Sequence, residues 1–197
     1  MLDPLPCATY AFVMSITPGP NNVMLTAAGA NFGLRRTLPH ILGVTCGFGS
    51  QVAAVCGGLG VLFTRWPQLH LALKWVGAAY LLFLGWQMLR ARGAQAVRAG
   101  KPITFAAAAA FQFLNPKAWV MSLTAATLFL PPQLGQILAS GYVATIVAAV
   151  NLPCITAWAL FGSSLGLALS RPAARRVFNW VMAAALAATG VMMVAQG

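Results

Sequence analysis

The sequence TPGPNN at residues 17–22 places two prolines inside an apolar segment, and LNPK at residues 114–117 places another in the second half of the chain. Pro18 and Pro116 are 98 positions apart in a chain of 197 residues. Proline lacks a backbone N–H and clashes with the carbonyl four residues earlier, so both stretches are expected to interrupt a helix. Interrupted membrane helices at matching places in two half-chains are the best sequence indication of a transporter's binding site.

The composition indicates an integral membrane protein. The chain is 60% hydrophobic and only 7% charged, and its mean hydropathy is +0.80. Average soluble domains carry roughly 25% charged residues, so a water-soluble fold of this size would lack the charges to cover its surface. The length allows about six membrane spans of ~20 residues with short connections.

The net charge of +11 would suggest nucleic-acid binding in a soluble protein. Here the basic residues cluster in short loops between apolar segments and form no continuous basic face. We therefore expect no nucleic-acid partner. The expected partners are the lipid bilayer and a small-molecule solute, and self-association into a homo-oligomer is left open.

Six apolar segments are predicted to be membrane helices, which makes the fold class all-α and polytopic. Their expected bounds are residues 5–28, 38–63, 69–89, 103–129, 137–167 and 177–194. They form a single membrane domain, whose halves 1–89 and 103–197 are joined by a basic linker, 90–102. Three spans per half force the halves into opposite orientations. The prediction is an inverted 3+3 repeat in which spans one and four are interrupted.

The distribution of Lys and Arg predicts the orientation in the membrane. Three alternate loops share one side and are basic: they carry Arg35, Arg36, Arg90, Arg92, Arg98, Lys101, Arg171, Arg175 and Arg176. The loops on the other side carry only Arg65. Basic loops stay in the cytoplasm, so both termini are predicted to be non-cytoplasmic in a multi-pass protein of the cell (inner) membrane.

The two interruptions also predict a binding site. Beyond each break a half-helix begins again, and its free N–H groups and dipole suit a carboxylate. The carbonyls freed before each break need a donor in lipid, for which a substrate ammonium or a water is suitable. These features fit a zwitterion such as an amino acid. The candidate substrate-binding residues are Pro18, Gly19, Pro20, Asn21, Asn22, Gln51, Gln112, Asn115, Pro116, Lys117 and Asn151.

Each candidate has a simpler structural interpretation. Prolines commonly kink membrane helices without forming a site, and buried amides such as Gln51 and Asn151 often hydrogen-bond between helices. Lys117 is the charge expected to lie deepest in the bilayer. It either pairs with a substrate carboxylate or extends to an interface while its aliphatic chain packs.

Catalytic and cofactor chemistry is not expected. The chain has no phosphate-binding Gly-x-x-x-x-Gly-Lys-[Ser/Thr] motif and no acidic residue in any predicted span. The four cysteines have no C-x-x-C spacing, and metal ligands are not clustered. We therefore predict no catalytic residue, no cofactor and no metal site, so the chain is not expected to be an enzyme.

Small and aromatic residues predict how the helices pack. Gly43-x-x-x-Gly47, Gly162-x-x-x-Gly166 and the alanine run at residues 106–110 are expected to let helix backbones approach closely. Trp119 and Trp158 lie more centrally in their segments than the other tryptophans and are candidates for lining a cavity.

Several motifs together resemble the LysE/RhtB family of amino-acid exporters over nearly the whole chain. They are PGPNN at 18–22, GANFGLRRT at 29–37, GAAYL at 77–81 with LGW at 84–86, and QFLNPK at 112–117. KPITF at 101–105, with Asn151 and Trp158, resembles in particular the cysteine and O-acetylserine exporter branch. The resemblance implies six spans and efflux of small amino acids (cysteine- and O-acetylserine-like, or homoserine, threonine or basic ones) with coupling to the proton gradient.

One position departs from that family pattern. Many members carry Asp directly after Pro-Gly-Pro, where this chain has Asn21. With no carboxylate in a span, the usual proton carrier is missing. Coupling through Lys117, a histidine or the substrate is left open, as are an uncoupled, channel-like facilitator and a membrane protein without transport activity.

Overall fold

The computed structural model describes residues 2–90, 102–169 and 171–195, and all regular structure within these ranges is helical. The predicted all-α class is therefore confirmed. The predicted linker 90–102 lies outside the described residues except at its two ends. The helices are α1 (Leu5–Ile16), α2 (Pro20–Phe32), α3 (Leu34–Ala54), α4 (Gly60–Arg65), α5 (Pro67–Arg90), α6 (Phe105–Gln112), α7 (Pro116–Leu128), α8 (Gln136–Ala168) and α9 (Pro172–Ala195).

The first and fourth apolar segments are each divided into two helices at the proline stretches. α1 has 12 residues and α2 has 13, while α6 has 8 and α7 has 13. Pro20 and Pro116 are the first residues of α2 and α7, where a missing N–H costs no intrahelical hydrogen bond. Pro20 therefore corresponds to Pro116, whereas Pro18 lies in the break before α2.

Neither half of an interrupted segment is long enough to cross a bilayer alone. A 13-residue helix extends about 20 Å, against a hydrocarbon core of about 30 Å. Within the described residues, three helices are long and apolar enough to span a membrane: Leu34–Leu59, Leu71–Arg90 and Gln136–Gly166. The structure thus contains several potential spans, and the arrangement of six as an inverted repeat stays a prediction.

The second segment differs most from its expected bounds of 38–63. α3 already begins at Leu34, because Gly33, with a φ of 76°, ends α2 directly before it. After α3 the chain passes through a wider turn at Val55–Leu59, in which Gly58 has a φ of 113°. Only glycine adopts such a φ readily, so the second segment departs from regular helix at Gly58.

Glycines bring helices of the two half-chains into backbone contact. A side chain on Gly29 would collide with the backbone of Ala159, and one on Gly162 would collide with the backbone of Thr26. α2 and α8 therefore touch through their backbones. This contact lies at one of the two predicted small-residue motifs.

The other predicted motif lies between α3 and α6. A side chain on Gly43 would meet the backbone of Phe105, and one on Gly47 would meet that of Ala109 in the alanine run. The close packing predicted for this motif is present. α2 is held on α8 and α3 on α6, which fixes the two breaks relative to each other.

A buried apolar cluster supports the region of the breaks. It joins α1, α3, α7 and α8 through side chains such as Ala11, Phe48 and Val143, which are at most 2% exposed. Phe48 and Met121 belong to this cluster and also line the cavity between the breaks. The polar site is therefore built directly on a packed core.

Candidate functional site

The two interruptions meet through a reciprocal amide pair. Asn21 Nδ2 donates to Gln112 Oε1 at 2.8 Å, and Gln112 Nε2 donates to Asn21 Oδ1 at 3.2 Å. Gln112 is fully buried and also donates to the carbonyl of Ala108 at 2.9 Å. The first turn of α2 is thereby attached to the last turn of α6.

Neutral side chains satisfy several carbonyls that the first break frees. Asn22 Nδ2 donates to the carbonyls of Ser15 at 3.0 Å and Thr17 at 2.8 Å. The indole N–H of Trp158 donates to the carbonyl of Ile16 at 3.2 Å. In a continuous helix Ile16 would have bonded to residue 20, but that residue is a proline without an N–H. The tryptophan therefore replaces a helical hydrogen bond.

Lys117 crosses from the second break to the first. Its ammonium donates to the carbonyl of Thr17 at 2.8 Å, to the hydroxyl of Thr17 at 3.0 Å and to the carbonyl of Pro18 at 3.3 Å. The sequence led us to expect a substrate ammonium or a water at the carbonyls of Met14, Ile16 and Gln112, but these accept from other groups of the chain. In the structure the Lys117 ammonium is bound to oxygens of the first break.

The second break is closed by local hydrogen bonds. The N–H of Asn115 bonds to the carbonyl of Gln112, three residues earlier, at 3.2 Å. Asn115 also caps α7, because its side-chain oxygen accepts the N–H of Lys117 at 3.1 Å. The indole N–H of Trp119 donates to the carbonyl of Phe113 at 2.8 Å. Each break thus has a tryptophan on one of its carbonyls. Neither Trp119 nor Trp158 is among the residues that line the cavity between the breaks, so the expectation that they line it was wrong.

A small polar cavity lies between the breaks. Its volume is about 20 Å³, which is room for roughly one water molecule. An amino acid therefore requires side chains to move, and Lys117 is the longest side chain of the polar wall. The lining residues are Met14, Ser15, Gly19, Pro20, Asn21, Asn22, Phe48, Gln112, Asn115, Lys117, Ala118, Met121, Asn151 and Ile155.

Most residues predicted for the site from the sequence line this cavity. Pro18 contributes its carbonyl to Lys117, and Pro116 starts α7 beside the cavity without lining it. Gln51 has no contact with the site: it is fully buried away from the lining, and neither of its amide atoms has a hydrogen-bond partner among the described residues. Asn151 lines the cavity and donates to the hydroxyl of Ser15 at 3.0 Å.

The sequence reasoning missed Ser15 and Thr17. Both are small hydroxyl residues in an apolar segment, and such residues usually bond to their own helix backbone. A signal for Thr17 was present, because a residue directly before proline is disfavoured in helical conformation. The carbonyl of Thr17 was therefore a candidate hydrogen-bond acceptor, just as the carbonyls of the prolines were.

The cavity offers one cation and several neutral amides. None of the residues that line it is acidic, and the chain's only acid, Asp3, accepts the N–H of Leu5 near the start of α1. The residues that the structure describes contain no group of three side chains suited to a metal ion. The site can bind a ligand through hydrogen bonds and one ammonium, and it provides no pair of groups for acid–base chemistry.

Comparison with known proteins identifies the family of the chain. The LysE type translocator family matches residues 12–197. A cysteine/O-acetylserine efflux protein of Klebsiella pneumoniae is 31% identical over 192 residues, covering 95% of each chain. The protein of that name from Escherichia coli K12 is 30% identical over 155 residues, covering 78% of this chain and 79% of the relative. No solved structure matches. The chain therefore belongs to the LysE type translocator family and is a membrane transporter rather than an enzyme.

Proposed function

We propose that this transporter exports small amino acids or their derivatives, of the cysteine and O-acetylserine kind, from the cytoplasm. The observation that carries the proposal is the meeting of two interrupted helices at a cavity whose wall combines neutral amides with one ammonium. Discontinuous helices that meet in this way are how many transporters build solute sites. The relatives with 30–31% identity are named as efflux proteins for these compounds.

The start of α2 supplies groups for the substrate carboxylate. α2 has Gly19 before its first residue and no side-chain cap, so the N–H groups of Asn21 and Asn22 are unused within the helix. Helix N-termini favour anions through these N–H groups and through the dipole. The amide of Gln112 lies beside them, paired with Asn21. A carboxylate near this turn would find several donors in a site with little room for water.

The proposed membrane arrangement follows from charge and from the paired breaks. Six spans in an inverted 3+3 repeat would place α1–α2 and α6–α7 as counterparts, and α2 and α7 have equal lengths of 13 residues, each starting with proline. The basic loops would lie in the cytoplasm. Both termini would then be outside, in a multi-pass protein of the inner membrane that is surrounded by lipid.

Radiolabelled amino-acid uptake into inverted vesicles tests this function. We expect saturable, time-dependent uptake of cysteine or O-acetylserine, while vesicles from cells that lack the protein take up only background label. Preloading the vesicles with unlabelled substrate should accelerate entry of label, because a carrier exchanges its substrate across the membrane. Homoserine, threonine and lysine belong in the same panel. Absence of saturable uptake for all of these amino acids would contradict the proposal.

An uncoupled facilitator is the second candidate. The observation that favours it is the absence of an acidic residue from the cavity lining, in which Asn21 directly follows Pro-Gly-Pro. A carrier without a proton partner still shows exchange of label, but it does not concentrate substrate. Uptake that reaches only the outside concentration, with or without a proton gradient, would support this candidate.

A further inference from the structure

Three oxygen atoms of the first break surround one ammonium. They are the carbonyl oxygens of Thr17 and Pro18 and the hydroxyl oxygen of Thr17, which lie 2.8, 3.3 and 3.0 Å from Lys117 Nζ. We call them the oxygen triad. An ammonium has three N–H donors, so the triad can satisfy all of them. We propose that the triad is the subsite for the α-ammonium of the exported amino acid, and that Lys117 is a tethered competitor for it.

The helix break explains why these oxygens are available. In a continuous helix the carbonyls of Thr17 and Pro18 would accept from residues 21 and 22, but α2 begins only at Pro20. Other freed carbonyls receive neutral donors, from Trp158 and Asn22. The carbonyl of Thr17 accepts from Asn22 as well as from Lys117. Most carbonyls of the break therefore accept hydrogen bonds from neutral groups, and the oxygen triad is available to bind a cation.

Lys117 is held without an opposite charge. The only acid of the chain is Asp3, and its carboxylate accepts a backbone N–H at the start of α1. Neutral oxygens alone bind the Lys117 ammonium, so a second ammonium can replace it without changing the charge of the triad. Two ammonium groups repel each other at such short distances. Lys117 and a substrate ammonium therefore occupy the triad in turn.

The surroundings of the triad allow this exchange. Thr17 and Pro18 are exposed, and Lys117 is only half-buried, so a solute can reach the oxygens. Gly19 has no side chain, and a Cβ there would lie 2.9 Å from Lys117 Cδ. The lysine thus fills the space that a substrate needs. Once displaced, its ammonium becomes free to pair with the carboxylate of the same substrate.

This inference rests on the proposed function and narrows its substrate class. The transporter should require a free α-ammonium together with a carboxylate. O-acetylserine and N-acetylserine are isomers: moving the acetyl group from the side-chain oxygen to the nitrogen turns the ammonium into an amide and frees the hydroxyl. We expect O-acetylserine to compete with labelled substrate and N-acetylserine to compete at least about ten-fold more weakly, which corresponds to losing one charge-assisted contact.

A variant without the Lys117 ammonium tests whether Lys117 competes with the substrate ammonium for the triad or only binds the substrate carboxylate. Ethanolamine is serine without its carboxylate, so it can fill the triad but cannot pair with Lys117. In Lys117→Met the triad is vacant, and ethanolamine should stabilise the purified variant against thermal unfolding at about ten-fold lower concentration than it stabilises the native protein. Adding Thr17→Val to Lys117→Met should abolish this gain. If ethanolamine acts equally on the native protein and on Lys117→Met, the inference is overturned.

Two further comparisons guard against a variant that does not fold. Lys117→Gln keeps a polar head group and should show the same gain for ethanolamine. In the otherwise native chain, Thr17→Val should weaken O-acetylserine binding about ten-fold while Thr17→Ser retains it, because only the serine keeps the hydroxyl acceptor. Native affinity in Thr17→Val would also overturn the inference. Absence of amino-acid transport by the native protein would instead defeat the proposed function itself.

Discussion

The ammonium of Lys117 lies 2.8 Å from the carbonyl oxygen of Thr17, 100 residues earlier in the chain. This hydrogen bond joins the two helix breaks directly, and the pair formed by Asn21 and Gln112 joins them a second time. A movement of α7 therefore pulls on the first break. Any step that opens the cavity to a substrate has to break or lengthen at least one of these links.

Gly19→Ala tests the space beside Lys117. The φ of Gly19 is −170°, which alanine also adopts, but the new Cβ would lie 2.9 Å from Lys117 Cδ and 3.2 Å from Nζ. We expect the lysine to shift away from the triad and the methyl group to hinder a bound substrate. Substrate affinity should fall about ten-fold, the equivalent of one charge-assisted hydrogen bond. Binding of labelled substrate to purified protein measures the change.

Gly141→Ala is the matched control for Gly19→Ala. Gly141 is exposed on α8, and a Cβ there would meet nothing within 4 Å. Its affinity for substrate should equal that of the native protein. Native affinity in Gly19→Ala as well would show that Lys117 finds other acceptors and that the space beside it is not needed.

Trp158→Phe tests whether the tryptophan stabilises the first break. The phenyl ring keeps most of the apolar contact, but the carbonyl of Ile16 loses its donor. An unsatisfied buried carbonyl costs about 1–3 kcal/mol, so we expect a lower melting temperature in detergent. Trp180→Phe is the control, because Trp180 is 60% exposed. Equal melting temperatures for the two variants would argue against a stabilising role of the indole N–H.

Gly162→Ala tests the contact between α2 and α8. The added methyl group would overlap the backbone of Thr26, so the helices must separate. We expect a loss of about 1–3 kcal/mol from this overpacking, measured as a lower melting temperature and a lower yield of folded protein. Gly141→Ala on the same helix should be as stable as the native protein or more so, since alanine favours helices. A stable Gly162→Ala would show that the two backbones can move apart without loss.

Terminal fusions test the proposed orientation. Nine basic residues in one set of loops against one in the other predict that both termini are outside. An alkaline phosphatase fused after Gly197 should be active, and a fluorescent protein that folds only in the cytoplasm should be dark. An inactive phosphatase together with a bright fluorescent protein would contradict the predicted orientation of the termini and of the two half-chains.

Local features of the sequence were sufficient to predict the interrupted helices. Proline acts on its own helix, so the breaks followed from residues 17–22 and 114–117 alone. The partner of Lys117 is Thr17, and this contact depends on how α2 packs on α8 and α3 on α6, which no local pattern encodes. The same reason applies to the prediction of Gln51 as a site residue. Its position in an apolar segment did not indicate whether it lies at the cavity, and in the structure it lies away from it.

Asn21→Asp tests proton coupling at the position where many relatives carry an acid. Asn21 now donates to Gln112 Oε1 and accepts from Gln112 Nε2. A carboxylate accepts but cannot donate, whereas a protonated carboxyl group restores both bonds. We therefore expect the variant to prefer the protonated form in this pair, which makes its export more sensitive to the proton gradient than that of the native protein. Export measured with and without a protonophore gives the comparison.

Asn115→Asp is the matched control, since it introduces the same group at the other break. There the side chain only needs to accept the N–H of Lys117, which a carboxylate does without a proton. The sensitivity of Asn115→Asp export to the protonophore should resemble that of the native protein.

If native export already collapses with the proton gradient and Asn21→Asp behaves identically, position 21 is not the coupling site. The proton path would then run through Lys117, a histidine, water or the substrate.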